Sequence, residues 1–269
     1  MNRTMLVLCS CLVGAALACD NDSKKSDAVQ TAPSASAIAS ASAMPASSGS
    51  AAATDEPVPA GDTRFVMETG KGSFLIDAPL EKIKGMSDEV AGHLDVNAKD
   101  LTKSTGTIKV RLSTLKTSTF GDTDKDVAQT EHARNWMEVG NDSSADSRMK
   151  YEWATFVVTA IDATPPALAD AKDGIVKAKV SGDLTVHGVT TKKVVPVTLT
   201  FKGAAGAPTE IDLKTDAPMP VSMKEHDVKP RDKIGGFLNG ALDRIGKKID
   251  DSVQVSFEGT SKASMPAQP

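Results

Sequence analysis

The feature that most limits what this chain can fold into is a strict two-residue alternation from Gly174 to His187 (GIVKAKVSGDLTVH). Val176, Ala178, Val180, Gly182, Leu184 and Val186 are apolar or small, while Lys177, Lys179, Ser181, Asp183 and Thr185 are not. A helix would scatter the first set around its circumference, whereas a strand puts it on one face, so a half-buried strand is predicted. The next segment repeats the pattern with Val195, Val197, Leu199 and Phe201, and the short Gly188–Thr191 stretch between them reads as a hairpin connection. Pro196 falls on the outward set and predicts an edge strand or a bulge, because proline offers no N–H to a ladder. Ile108, Val110 and Leu112 mark another one-sided strand, as do Val253, Val255 and Phe257. Phe65–Glu68, Ser73–Ala78, Ala91–Val96, Tyr151–Ile161 and Glu210–Thr215 bring the expected total to eight or nine. So many strands with one wet face each need a shared interior, which means a sandwich or a closed barrel.

Two segments depart from this period. Asp124–Glu138 is rich in helix formers, begins with acidic residues that suit a helix amino end, and places Ala133, Trp136 and Met137 on one side. Asp232–Asp250 carries Ile234, Phe237, Leu238, Ala241, Leu242, Ile245 and Ile249 at three- and four-residue steps, an apolar stripe that predicts a helix lying on another surface. Tyr151–Ile161 is apolar on both faces, which predicts a strand covered outside by the first helix and inside by core or ligand.

The amino terminus stands apart from the fold. Met5–Leu17 is an apolar run behind Arg3, too short to span a bilayer, and reads as the hydrophobic part of a secretory signal over residues 1–18. Small residues lead directly into Cys19, as in the lipobox of bacterial lipoproteins; ordinary cleavage after Ala18 is the alternative. Cys9 and Cys11 fall inside the signal, so Cys19 is the only cysteine of the mature chain and the expected lipidation site. From Thr31 to Ala53, 19 of 23 residues are Ala, Ser or Pro, a composition that cannot bury enough apolar surface to order itself. Residues 19–61 are therefore expected to be a disordered tether, with the folded domain over 62–263 and a frayed tail over 264–269.

Composition excludes several functions. A net charge of -4, from 31 Lys+Arg against 35 Asp+Glu, supplies no basic field for nucleic acid. The domain has no cysteine for a disulfide or a thiolate metal site. His93, His132, His187 and His226 form no metal-binding spacing, so each is expected at the surface or in a turn. Neither a nucleophile elbow nor a phosphate-cradling glycine loop occurs. The expectation is a protein that is not an enzyme and that carries neither cofactor nor metal.

What remains is the interior. Barrels of about eight strands either fill it with side chains or hold one small ligand, and the alternation alone leaves both outcomes open. Bulky fillers are scarce, with aromatics at 4% of the chain. If a cavity exists, its wall candidates are Trp136, Trp153, Phe156, Val176, Val180, Leu184, Val195, Val197, Leu199 and Phe201.

Ser181–Phe201 (SGDLTVHGVTTKKVVPVTLTF) resembles the most recognisable segment of the YceI-like family, whose members share a strand close to GDLTLHGVTK followed by PVTL. Leu112–Thr117 (LSTLKT) is similar to another family strand end, and Glu131-His132 followed by Trp136-Met137-Glu138-Val139 is similar to its helical stretch. The resemblance covers roughly Arg64 to Ala263. It implies an all-β fold, an extended eight-stranded antiparallel lipocalin-like barrel with two helical insertions, enclosing an apolar tunnel. It also implies non-catalytic binding of an isoprenoid or similar lipid by an exported protein, which the separate lipobox likeness at Cys19 would hold at the bacterial envelope. A packed interaction domain with no ligand is the alternative. Two departures fall at the tunnel mouth: Glu68–Ser73 replaces the family's usual early element, and the loop holding 232–250 is longer than is common.

Overall fold

The computed structural model describes residues 58–59, 62–77, 82–204, 206–229 and 251–264. The expected signal, Cys19 and most of the tether, the helix expected over 232–250 and the tail from 265 lie outside the described residues. Ser264, expected to fray, is tied back through its N–H to Arg64 O at 2.8 Å.

The described strands are β1 (Thr63–Asp77), β2 (Lys82–Ser87), β3 (Val90–Val96), β4 (Thr105–Arg111), β5 (Lys116–Thr117), β6 (Trp153–Thr164), β7 (Ile175–Val186), β8 (Val189–Ala204), β9 (Ala207–Thr215), β10 (Met219–Ser222) and β11 (Ser252–Ala263). Every pairing is antiparallel. Following them in order, β1, β3, β4, β6, β7, β8, β9 and β11 form a ring, which β11 closes against β1 from Phe65↔Ala263 to Ile76↔Val253. The molecule is thus a closed eight-stranded barrel rather than a sandwich. The three remaining strands extend ring positions at one end. β2 and β3 lie in one register along β1, with the pairing interrupted between Val66↔His93 and Gly72↔Ser87. β5 continues β4 beside β2, and β10 continues β9 beside β11.

The longest hairpin, β7–β8, runs unbroken from Ile175↔Thr200 to Val186↔Val189. Its turn is His187-Gly188, not the longer Gly188–Thr191 connection expected. Both residues have positive φ, 49° and 76°, the backbone of a two-residue turn that matches strand twist. β8 is flanked by β7 and β9, but its pairing with β9 ends at Val197↔Thr215, so Pro196 stands on a locally unpaired edge, as its missing N–H requires. Its carbonyl accepts from Asp216 N at 2.9 Å, just beyond the last β9 rung, Val197↔Thr215. Its nitrogen points to the same side, where the ladder has ended and no donor is required.

Bulges between Met67 and Thr69, Val158 and Ala160, and Lys202 and Gly203 supply the extra bending that closure requires. At the β1–β3 seam, Arg64 Nε and Nη2 each donate to Asp95 at 2.7 Å, with both side chains buried.

Between β5 and β6 the chain forms helices α1 (Thr123–Trp136) and α2 (Ala145–Lys150). The Asp122 carboxylate caps α1 by accepting from Lys125 N at 3.1 Å, and Asp124 and Asp126 occupy the positive end of its dipole. Thr117 N donates to Thr130 Oγ1 at 2.8 Å, and Arg134 Nε donates to Leu115 O at 2.9 Å. These bonds hang α1 on β5, at the end of the barrel. It was expected to cover β6, but the outward Val157 of β6 is exposed.

Candidate functional site

Alternation sends one side chain in two from each ring strand toward the axis. At one end these residues pack into a cluster built on Phe65, Leu94, Leu101, Val176 and Ile211. At the other end Ile76, Ile83, Trp136, Met223 and Val228 form a second cluster. A cavity of about 270 Å³ runs between the two and draws its walls from both. An apolar cavity of roughly 150 Å³ already stays dry and takes up a small hydrocarbon, so this one is roomy enough for a chain.

Eight of the ten expected wall residues line it: Trp136, Phe156, Val180, Leu184, Val195, Val197, Leu199 and Phe201. Two do not. Val176 shares the inward parity of Val180 but is wholly buried within the first cluster, where it packs the barrel end. Trp153 has the opposite parity to Ala154 and Phe156, which face the cavity. Its ring lies outside beneath the Arg111 guanidinium, 5.8 Å away, and Arg111 is itself paired with Glu89 and Glu152.

Among the described residues no Asp, Glu, Lys or Arg lines the cavity. Several of its polar side chains are turned onto protein partners. Ser87 Oγ lies 2.9 Å from Thr114 Oγ1, Ser104 Oγ accepts from Asn97 N at 3.0 Å, and Thr215 Oγ1 accepts from Phe257 N at 3.1 Å. Ser222 Oγ donates to Asp251 Oδ2 at 2.5 Å, and Lys224 N donates to Asp251 Oδ1. The Ser222 bond is the chief reason the Asp251 carboxyl titrates below its usual range. With these oxygens engaged, the wall offers a ligand mainly carbon.

His226, expected in a turn or at the surface, sits in the turn after β10 but is fully buried there and lines the cavity. Its Nδ1 is 3.0 Å from Val189 O and 3.3 Å from Val186 O, which requires the proton on Nδ1 and leaves Nε2 to accept from Thr191 Oγ1 at 3.1 Å. The His226 carbonyl faces His187 Nδ1 at 3.3 Å. His187 likewise sits in a turn and is buried, with the Tyr151 ring 4.1 Å away. His132 is exposed, and His93 is half-buried on β3 near Asp95. Among the described residues no cluster of His, Cys, Asp and Glu is arranged to hold a metal.

The inward sets of two further recognised strands, Ile108 and Val110 with Val253, Val255 and Phe257, also line the cavity, as their alternation predicts. Met223, His226 and Val228 follow β10 in a loop and carry no periodicity that would mark them.

The family model for the YceI-like domain matches residues 66–261. Among solved structures, a polyisoprenoid-binding domain from Saccharophagus degradans, implicated in plant cell wall breakdown, is similar at 14% identity and a TM-score of 0.50, over 74% of this chain and 98% of that one. BcnA from Burkholderia cenocepacia is similar at 16% identity and a TM-score of 0.46, over 71% and 95%. The Campylobacter jejuni YCEI protein follows at 11% and 0.42, over 67% and 85%. No curated protein matches the chain.

Proposed function

The chain belongs to the YceI-like domain family, and from that premise we propose that its barrel binds or carries one long apolar molecule, an isoprenoid or a similar lipid, without catalysis. The observation that carries this reading is the cavity itself, enclosed by a closed barrel and walled by carbon. Each enclosed CH₂ contributes roughly 0.8 kcal/mol before association and ordering costs. The Saccharophagus degradans domain, described as polyisoprenoid-binding, supports the ligand class. The signal and Cys19 support an exported protein, lipid-anchored at the envelope and facing the periplasm or exterior, that takes its ligand from a membrane.

The test uses the mature chain, residues 19–269, produced without detergent. Lipid extraction and mass spectrometry should recover an apolar molecule, and added isoprenoid alcohol should bind and raise the melting temperature. Val180→Trp, which fills the lumen without adding charge, should fold and lose both effects. A wild-type chain that neither retains nor binds an apolar molecule ends the proposal, as does a folded Val180→Trp variant that binds normally.

A further inference from the structure

Two inward positions of the wall are glycines lying directly beneath cavity-lining side chains. A Cβ on Gly72 of β1 would stand 2.9 Å from Val110 Cγ1 and 3.2 Å from Val110 Cγ2, and a Cβ on Gly182 of β7 would stand 2.6 Å from Phe156 Cε1. Such approaches are closer than packed carbons tolerate. The bare glycines therefore let Val110 and Phe156 lie back against the wall, and a methyl group at either position would tip the overlying side chain toward the axis. Their place matters. Phe156 packs on the margin of the Phe65 cluster, and Phe74, two residues beyond Gly72 on the same face, packs on the margin of the Trp136 cluster. The glycines thus sit where the cavity passes from one cluster to the other.

Resting on the lipid-binding reading above, we infer that Gly72 and Gly182 set the usable length of the ligand: by keeping Val110 and Phe156 against the wall they hold the single cavity open where it passes from one cluster to the other. Lumen width at this passage decides whether a chain runs the whole cavity or stops short of it. The feature selects for chain length rather than head group.

The test compares the binding of farnesol and of geranylgeraniol, one isoprene unit longer, to the mature chain. The wild type should favour the longer alcohol by about tenfold or more, because the added unit remains buried. Gly72→Val, whose added Cβ has the Val110 side chain as its nearest neighbour, should keep farnesol binding within about threefold while the preference for the longer chain collapses. Adding Val110→Ala returns the space and should restore the preference. Should Gly72→Val fail to fold, Gly72→Ala, which adds a single methyl group against the same Val110 side chain, is read in its place; Gly182→Ala is not used, since it also presses on the backbone Val157 O. A folded Gly72→Val variant that retains the wild-type preference overturns the inference, and so does one that loses both alcohols equally. A wild type that binds neither alcohol overturns the lipid-binding proposal instead.

Discussion

His226 joins two stretches of chain that no strand pairing connects. Its ring reaches from the loop after β10 to the β7–β8 hairpin, satisfying two carbonyls and one hydroxyl, while its carbonyl faces the ring of His187 on that same hairpin. A buried polar group of this kind contributes less by its bonds than it costs to remove, because its partners are stranded out of water. His226→Ala should therefore destabilise the protein by about 3 kcal/mol, combining lost bonds with a new void. Urea unfolding would show this as a lower midpoint with little change in slope. His132→Ala, at an exposed site, provides the control and should leave the midpoint unchanged.

Among the elements, α1 is the least independent. Its polar sequence offers little to a core except Ala133 and Trp136, and one indole carries most of its apolar docking at the barrel end. Trp136→Ala should cost about 3–5 kcal/mol and lower protection from amide exchange in α1 and β5 more than in β7 and β8. The strands differed in how plainly the sequence announced them, for reasons that can be named. β7 and β8 were legible because each is paired on both sides and keeps one phase throughout. β2 also alternates, but its buried positions are Ile83, Gly85 and Ser87 while Met86 faces out, so hydrophobicity follows the wrong face. β5 is two residues long, and β10 contains Pro220. β6 is apolar on both faces, which left the phase of Trp153 undetermined by sequence. Val176 was placed on the correct face, but sequence periodicity carries no information about depth along the axis, and depth separates a wall residue from the packed end.

At the scale of the whole molecule, the proposed anchor is tested apart from the barrel, since Cys19 lies outside the described residues. Cys19→Ala should move the protein from the membrane to the soluble fraction, or leave an unprocessed precursor, without changing its melting temperature; palmitate labelling of the wild type checks the premise directly. Ring closure has a further consequence, in the order of events during folding. Met67 and Ser261, 194 positions apart, meet across the β1–β11 seam, and β11 also pairs with β9 and β10. Until the last strand arrives, β1 and β9 both present open edges, and the entropy of closing so long a loop must be met before its contacts repay it. The ring therefore cannot close before β11 has been made, and until then the edges of β1 and β9 that β11 covers stay unpaired.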